Sequence, residues 1–172
     1  MDLLDLYEEY REDPAFDHLR TEHVKLVPGR GAKRPRVLIV GEAPGANENL
    51  QLKPFVGKAG KLLTQLMELA GLFAEDQVDV PFDVEVGEPE VRTYANTFIT
   101  NVVKYRPPRN RTPTRAEIAA SRGYLRREWK ILGRPPVIVA AGGVALNALR
   151  ADLTSIGQLA GKVVRMSDGC HM

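Results

Sequence analysis

Three short runs of the chain are almost wholly apolar and rich in β-branched residues: 37–40 (VLIV), 97–103 (TFITNVV) and 137–141 (VIVAA). Unbroken runs of this kind, unlike alternating ones, predict strands covered on both faces. Residues 162–166 (KVVRM) predict a fourth strand. Helical spacing separates the runs. Residues 3–13 (LLDLYEEYRED) predict an N-terminal helix ended near Pro14. Leu62, Leu63, Leu66, Met67 and Leu69–Ala70 recur along one helical face, and Gly71 closes it. Thr114 with Glu117 three residues on has the spacing of a capping box, opening a helix that runs to about Leu132. Residues 142–150 (GGVALNALR) predict one more short helix. The paired prolines of 106–113 (RPPRNRTP) exclude helix and central strand, leaving a loop. Residues 72–93 are acidic, broken by Pro81, Gly87 and Pro89, and read as a surface insertion.

Strands alternating with helices predict one α/β domain over residues 1–172: three layers, α/β/α, around a central four-stranded parallel sheet. Ligands of such sheets bind beyond the carboxyl ends of the strands. The loops after Val40, Val103 and Ala141 should therefore share one edge.

Composition narrows the picture modestly. A 172-residue chain buries roughly 70% of its unfolded surface, so its core needs no covalent staple. The single cysteine, Cys170, cannot form an internal disulfide or a cysteine metal cage, and fits a reducing compartment. The net charge of +2 is too small to name a partner. The acidic N-terminus is unlike a signal peptide, and residues 135–149 are too short and glycine-broken for a membrane span. The expectation is a soluble, cytoplasmic monomer.

The stretch after the first strand, 41–63 (GEAPGANENLQLKPFVGKAGKLL), holds four glycines and two prolines. Its Gly57–Lys58 pair suggests a phosphate loop. A Walker A motif needs glycine at 52 and Ser or Thr at 59; the chain has Leu52 and Ala59. The dinucleotide fingerprint G-x-G-x-x-G is also absent from GEAPGA. Turn-building alone leaves unexplained a glutamate at a strand end and a phenylalanine placed in a Pro-Phe-Val-Gly loop.

These residues, followed by ITNVVKYRPPRNRTPTRAEI (99–118) and PPVIVAAGGVALNAL (135–149), resemble the uracil-DNA glycosylase superfamily, above all its families 4 and 5. The resemblance covers roughly residues 27–71 and 96–160. It implies base-excision repair: hydrolysis of the N-glycosidic bond of uracil in DNA after the base is flipped from the stack. Family 4 ligates an iron–sulfur cluster with four cysteines. At two of those positions this chain has Tyr105 and Ser121, and it has no cysteine pair before its VPGRG segment. No such cluster, and no other metal or cofactor, is expected; Tyr105 and Phe16 should fill the vacated space. The family's closing His-Pro-Ser-like motif is not found before the final SDGCHM: either the sequence stops short of it or the protein lacks it, and His171 is a weak substitute.

The resemblance assigns Phe55 to stack on the base and Asn101 to read it, its amide donating to O4 and accepting from N3–H. Ala43 offers a backbone N–H to a base carbonyl, in the manner of an oxyanion site. Family 1 relatives carry an Asp where this chain has Ala43, so the catalytic carboxylate must lie elsewhere: Glu42 first, Glu48 second. Either could also stabilise an oxocarbenium-like cation electrostatically. Lys104, Arg106, Arg109, Arg111 and Arg115, with Lys58 at a helix start, form the expected DNA-phosphate surface. The partner is uracil-containing DNA, single- or double-stranded. The alternative is a catalytically weak DNA-binding module of the same fold, acting in replication or modified-base recognition.

Overall fold

The computed structural model describes residues 2–74, 93–94, 96–150, 152–153, 155–164 and 171–172. A four-stranded sheet forms the centre, its strands lying side by side in the order β1 (Arg30–Gly31), β5 (Thr97–Asn101), β2 (Val37–Gly41), β6 (Val137–Ala140). β2 (Val37–Gly41), β5 (Thr97–Asn101) and β6 (Val137–Ala140) run parallel, as expected.

The fourth strand is a correction. It is β1 (Arg30–Gly31), antiparallel to β5, so the sheet is mixed. Glycine permits that approach: Gly31 has φ 131°, and a Cβ there would overlap the Thr97 carbonyl. The expected strand over 162–166 does not form at residues 162–164, and 165–166 lie outside the described residues. Val164 instead exchanges backbone hydrogen bonds with Met172. β1 takes the edge beside β5, while beside β6 His171 forms an isolated bridge with Val137.

Side-chain alternation along the strands supplies both faces of the core. Leu38, Val40, Phe98 and Ile138 join one cluster with Tyr10, Ile118, Leu125 and Ala145. These come from α1 (Leu3–Glu12), α4 (Arg115–Ile131) and α5 (Gly143–Leu149). Ile39 and Ile99 face Met67 of α3 (Lys58–Leu69) on the other side. That helix begins as expected but docks on a narrower face. Gly60, Leu63 and Met67 turn inward, while Leu62, Leu66 and Leu69 stay exposed. Gly60 sets this rotation, because a Cβ there would overlap the Phe55 backbone.

Four further short elements escaped the pattern. Residues 46–51 form α2 (Ala46–Gln51) inside the stretch read as loop. Its N-cap is Gly45, which lacks the side chain that signals a helix start. The 72–93 insertion opens and closes as an antiparallel pair, β3 (Phe73–Ala74) with β4 (Thr93–Tyr94). The surface placement expected for 75–92 lies outside the described residues. A final helix, α6, spans Ile156–Leu159. Among the described residues no helix is long and apolar enough to cross a membrane.

Candidate functional site

The parallel strands bring three loops to one edge, and in the sheet register Gly41 lies beside Asn101. Around Gly41 the expected base-recognition residues meet. A Cβ on Gly41 would overlap both Asn101 Oδ1 and the ring of Phe55. The absent side chain is thus what lets the asparagine amide and the aromatic ring approach across the strand end. Asn101 is only 4% exposed, yet its side-chain amide has no hydrogen-bond partner among the described residues. Phe55 is half-buried against the Ile39–Met67–Ile99 cluster and holds φ 57°, an unusual backbone for a bulky residue.

The two carboxylates of the loop differ sharply. Glu48, on α2, accepts three backbone N–H bonds: from Gly45 at 3.1 Å, Val56 at 3.0 Å and Gly57 at 2.7 Å. It therefore ties α2 to the segment carrying Phe55, and its negative charge sits at the start of α3, where a helix favours an anion. The phosphate expected at that helix start finds the nearest amides already taken. Glu42 is half-buried, and its carboxylate makes no hydrogen bond or ion pair among the described residues. Its backbone is fixed, since Val103 N–H donates to its carbonyl at 3.1 Å. The N–H of Ala43 has no acceptor among the described residues, and its side chain packs on the core.

The basic run divides in the same way. Lys58, Arg109 and Arg115 are exposed. Arg106 is half-buried and donates to Asn110 Oδ1 at 2.7 Å. Arg111 makes a two-pronged contact with Glu117, at 2.8 and 2.6 Å. Lys104, expected on the DNA surface, is a correction: it is 1% exposed and ion-paired with Glu128 at 2.8 Å. Burial lowers the pKa of its ammonium group, and Glu128 opposes that shift. Charge counting placed it with its neighbours, but Lys104 follows the buried Val102–Val103 pair directly and continues inward. Its role escaped the sequence because its partner lies 24 residues away on another element.

His171 is displaced from the edge where the other residues meet. It pairs with Val137, the first residue of β6, at the amino end of the strand. Gly41 and Asn101 lie at the opposite, carboxyl ends of the parallel strands, so His171 is not brought to the edge where the expected site residues meet. Cys170 lies outside the described residues.

The positions at which family 4 would ligate its cluster hold something chemically different. Tyr105 and Ser121 are buried, and the Ser121 hydroxyl meets that of Tyr10 at 2.9 Å. Tyr10 stacks on Phe16 with ring centroids 4.1 Å apart, and Tyr105 and Tyr124 flank the pair. Phenol, phenyl and hydroxyl groups offer iron no thiolate, so these residues do not fit an iron–sulfur cluster. Among the described residues no group of three or more His, Cys, Asp or Glu could hold a metal ion.

Comparison with known proteins gives the family. Residues 28–168 match the model of the uracil DNA glycosylase superfamily. The type-4 uracil-DNA glycosylase of Saccharolobus solfataricus is 39% identical over 141 residues, covering 79% of this chain and 56% of that protein. The type-5 uracil-DNA glycosylase of Thermus thermophilus is 36% identical over 127 residues, covering 73% of this chain and 54% of that protein. A DNA polymerase of Bacillus phage SP01 is 32% identical over 149 residues, covering 87% of this chain but 14% of the polymerase. The chain thus spans little more than half the length of these glycosylases. With the family model matched over most of its length, the chain belongs to the uracil DNA glycosylase superfamily.

Proposed function

We propose that this chain excises uracil from DNA by hydrolysing its N-glycosidic bond. The observation carrying this reading is the meeting of the Asn101 amide and the Phe55 ring over Gly41. A flipped uracil stacks on Phe55. Asn101 donates from Nδ2 to O4 and accepts N3–H at Oδ1, a pairing that cytosine, with an amino group at C4 and no N3–H, does not offer. The Ala43 N–H donates to a carbonyl of the departing base, where negative charge develops. The bonding pair leaves with N1 of the base, which then takes up a proton. Water adds hydroxyl to C1′ of the sugar. Glu42, whose carboxylate has no partner among the described residues, stabilises the cationic sugar or orients that water. Glu48 is assigned a positioning role, since its oxygens already serve three loop amides. Lys58, Arg106 and Arg109 face the DNA backbone, and Arg111 orients their loop through Glu117.

The similarity to a phage DNA polymerase over 87% of this chain favours a second reading, a DNA-binding module attached to replication. One experiment separates the two. Single-turnover uracil release from a single-stranded oligonucleotide is measured beside a binding titration. Excision predicts abasic sites with the unmodified chain, and Glu42→Gln should slow release by about 10²-fold or more while leaving affinity nearly intact. Tight DNA binding without base release would replace excision with the replication module.

A further inference from the structure

The strongest unexplained feature of the fold lies directly beneath the base-reading residue. Lys104, Glu128 and Thr100 are all at most 1% exposed, and with Tyr7 they form one closed polar network. The Lys104 ammonium donates to Asn101 O at 2.7 Å, to Glu128 Oε2 at 2.8 Å and to the Thr100 hydroxyl. Thr100 in turn donates to Glu128. Tyr7 donates to the other Glu128 oxygen and accepts the Gly29 N–H.

Stability alone is a poor account of this network. Removing two charges from water costs about as much as their attraction returns, and apolar groups of similar shape often serve as well. What the network supplies is position. Asn101 ends β5, where the chain leaves the sheet. Lys104 folds back three residues to hold that carbonyl, while its own backbone is pinned at both ends. Its N–H donates to Tyr10 at 3.1 Å, and its carbonyl accepts from Val27 at 2.8 Å. Within the same turn, Val102 and Val103 N–H groups donate to Gly41 and Glu42 carbonyls. One buried clamp therefore sets the height of Asn101 and, through the turn, the backbone of Glu42.

We infer that Lys104 and Glu128 are positioning residues for base recognition: they fix the turn that presents Asn101, without touching the base. This inference rests on the proposed reading of Asn101. It is tested with Lys104→Met/Glu128→Gln, which removes both charges together and keeps an acceptor for Tyr7. Thr100→Val is a milder cut, removing only the hydroxyl between them. The measurement compares affinity for single-stranded oligonucleotides carrying one uracil or one cytosine, with folding followed by circular dichroism. The double variant should lose about 10- to 100-fold of the preference for uracil, the effect of a misplacement near 1 Å. Thr100→Val should lose a smaller part. Affinity for uracil-free DNA should not change. A folded double variant with wild-type preference would overturn the inference. Should the double variant not fold, an unchanged preference in Thr100→Val would overturn it instead. Asn101→Ala keeps the two claims apart: if it too retains the preference, the reading of Asn101 falls, and if it alone loses the preference, only the clamp falls.

Discussion

A methyl group at position 41 would occupy space now shared by Asn101 Oδ1 and the Phe55 ring. Gly41→Ala should therefore act on recognition more than on the rest of the molecule. Overpacking of this kind costs about 1–3 kcal/mol where the neighbours can shift, and here the shifting groups are those proposed to hold the base. The melting temperature should fall modestly, while the affinity difference between uracil and cytosine oligonucleotides collapses. Full discrimination in the Gly41→Ala protein would mean that the base sits elsewhere. That Phe55 and Asn101 lie together at the strand ends was legible in the sequence, because both were expected in loops of one sheet edge. Gly41 was not singled out, since nothing in a sequence says which glycine two distant side chains will crowd. Lys104 was misplaced for a related reason: a charge run gives composition but no direction, and one member pointed inward.

At the scale of elements, the start of α4 gathers a polar cluster that the capping spacing announced only in part. Thr114 and Glu117 cap each other, as their separation predicted. Glu117 also receives Arg111 and His18, the latter at 2.7 Å. Arg111 chiefly, with His18 and the Thr114 N–H, holds the carboxyl at a pKa of about 2 against a usual 4.5, although burial pushes the other way. A depressed carboxylate stabilises the fold above its unfolded pKa and loses that contribution as pH falls toward the folded value. Because Arg111 and His18 both reach solvent, screening cuts the linkage to about 1–2 kcal/mol. Glu117→Gln should thus lower the melting temperature clearly at pH 7, and by less than half as much in free energy at pH 3. An equal loss at both pH values would assign the effect to packing. The parallel strands were legible because continuous apolar runs have few other uses. β1 was not, because two residues carry no periodicity, and α2 was hidden by its glycine cap.

Across the whole molecule, the N-terminal segment and α4 are joined where an iron–sulfur relative would use thiolate–iron bonds. Here the junction is made of rings and hydrogen bonds. Tyr10 stacks on Phe16 and meets Ser121, Tyr124 donates to Asp13 at 2.9 Å, and Arg127 grips Glu9 at 2.7 Å. Tyr105, from the turn beyond β5, packs into the same cluster. The substitutions at 105 and 121 therefore read as one exchange, with aromatic burial taking over the tether. Two expectations follow from that exchange. The protein should carry no stoichiometric iron by elemental analysis, and a strong chelator should leave its melting temperature unchanged. Tyr105→Ala should then cost about 3–5 kcal/mol, the range for emptying a large aromatic site in a core. That loss should loosen α1 from α4, read as faster hydrogen exchange over residues 3–12. Iron at a fixed ratio, or a chelator-sensitive melting temperature, would show that metal still holds the two halves together. A Tyr105→Ala protein as stable as the original would show that the rings fill space without joining anything.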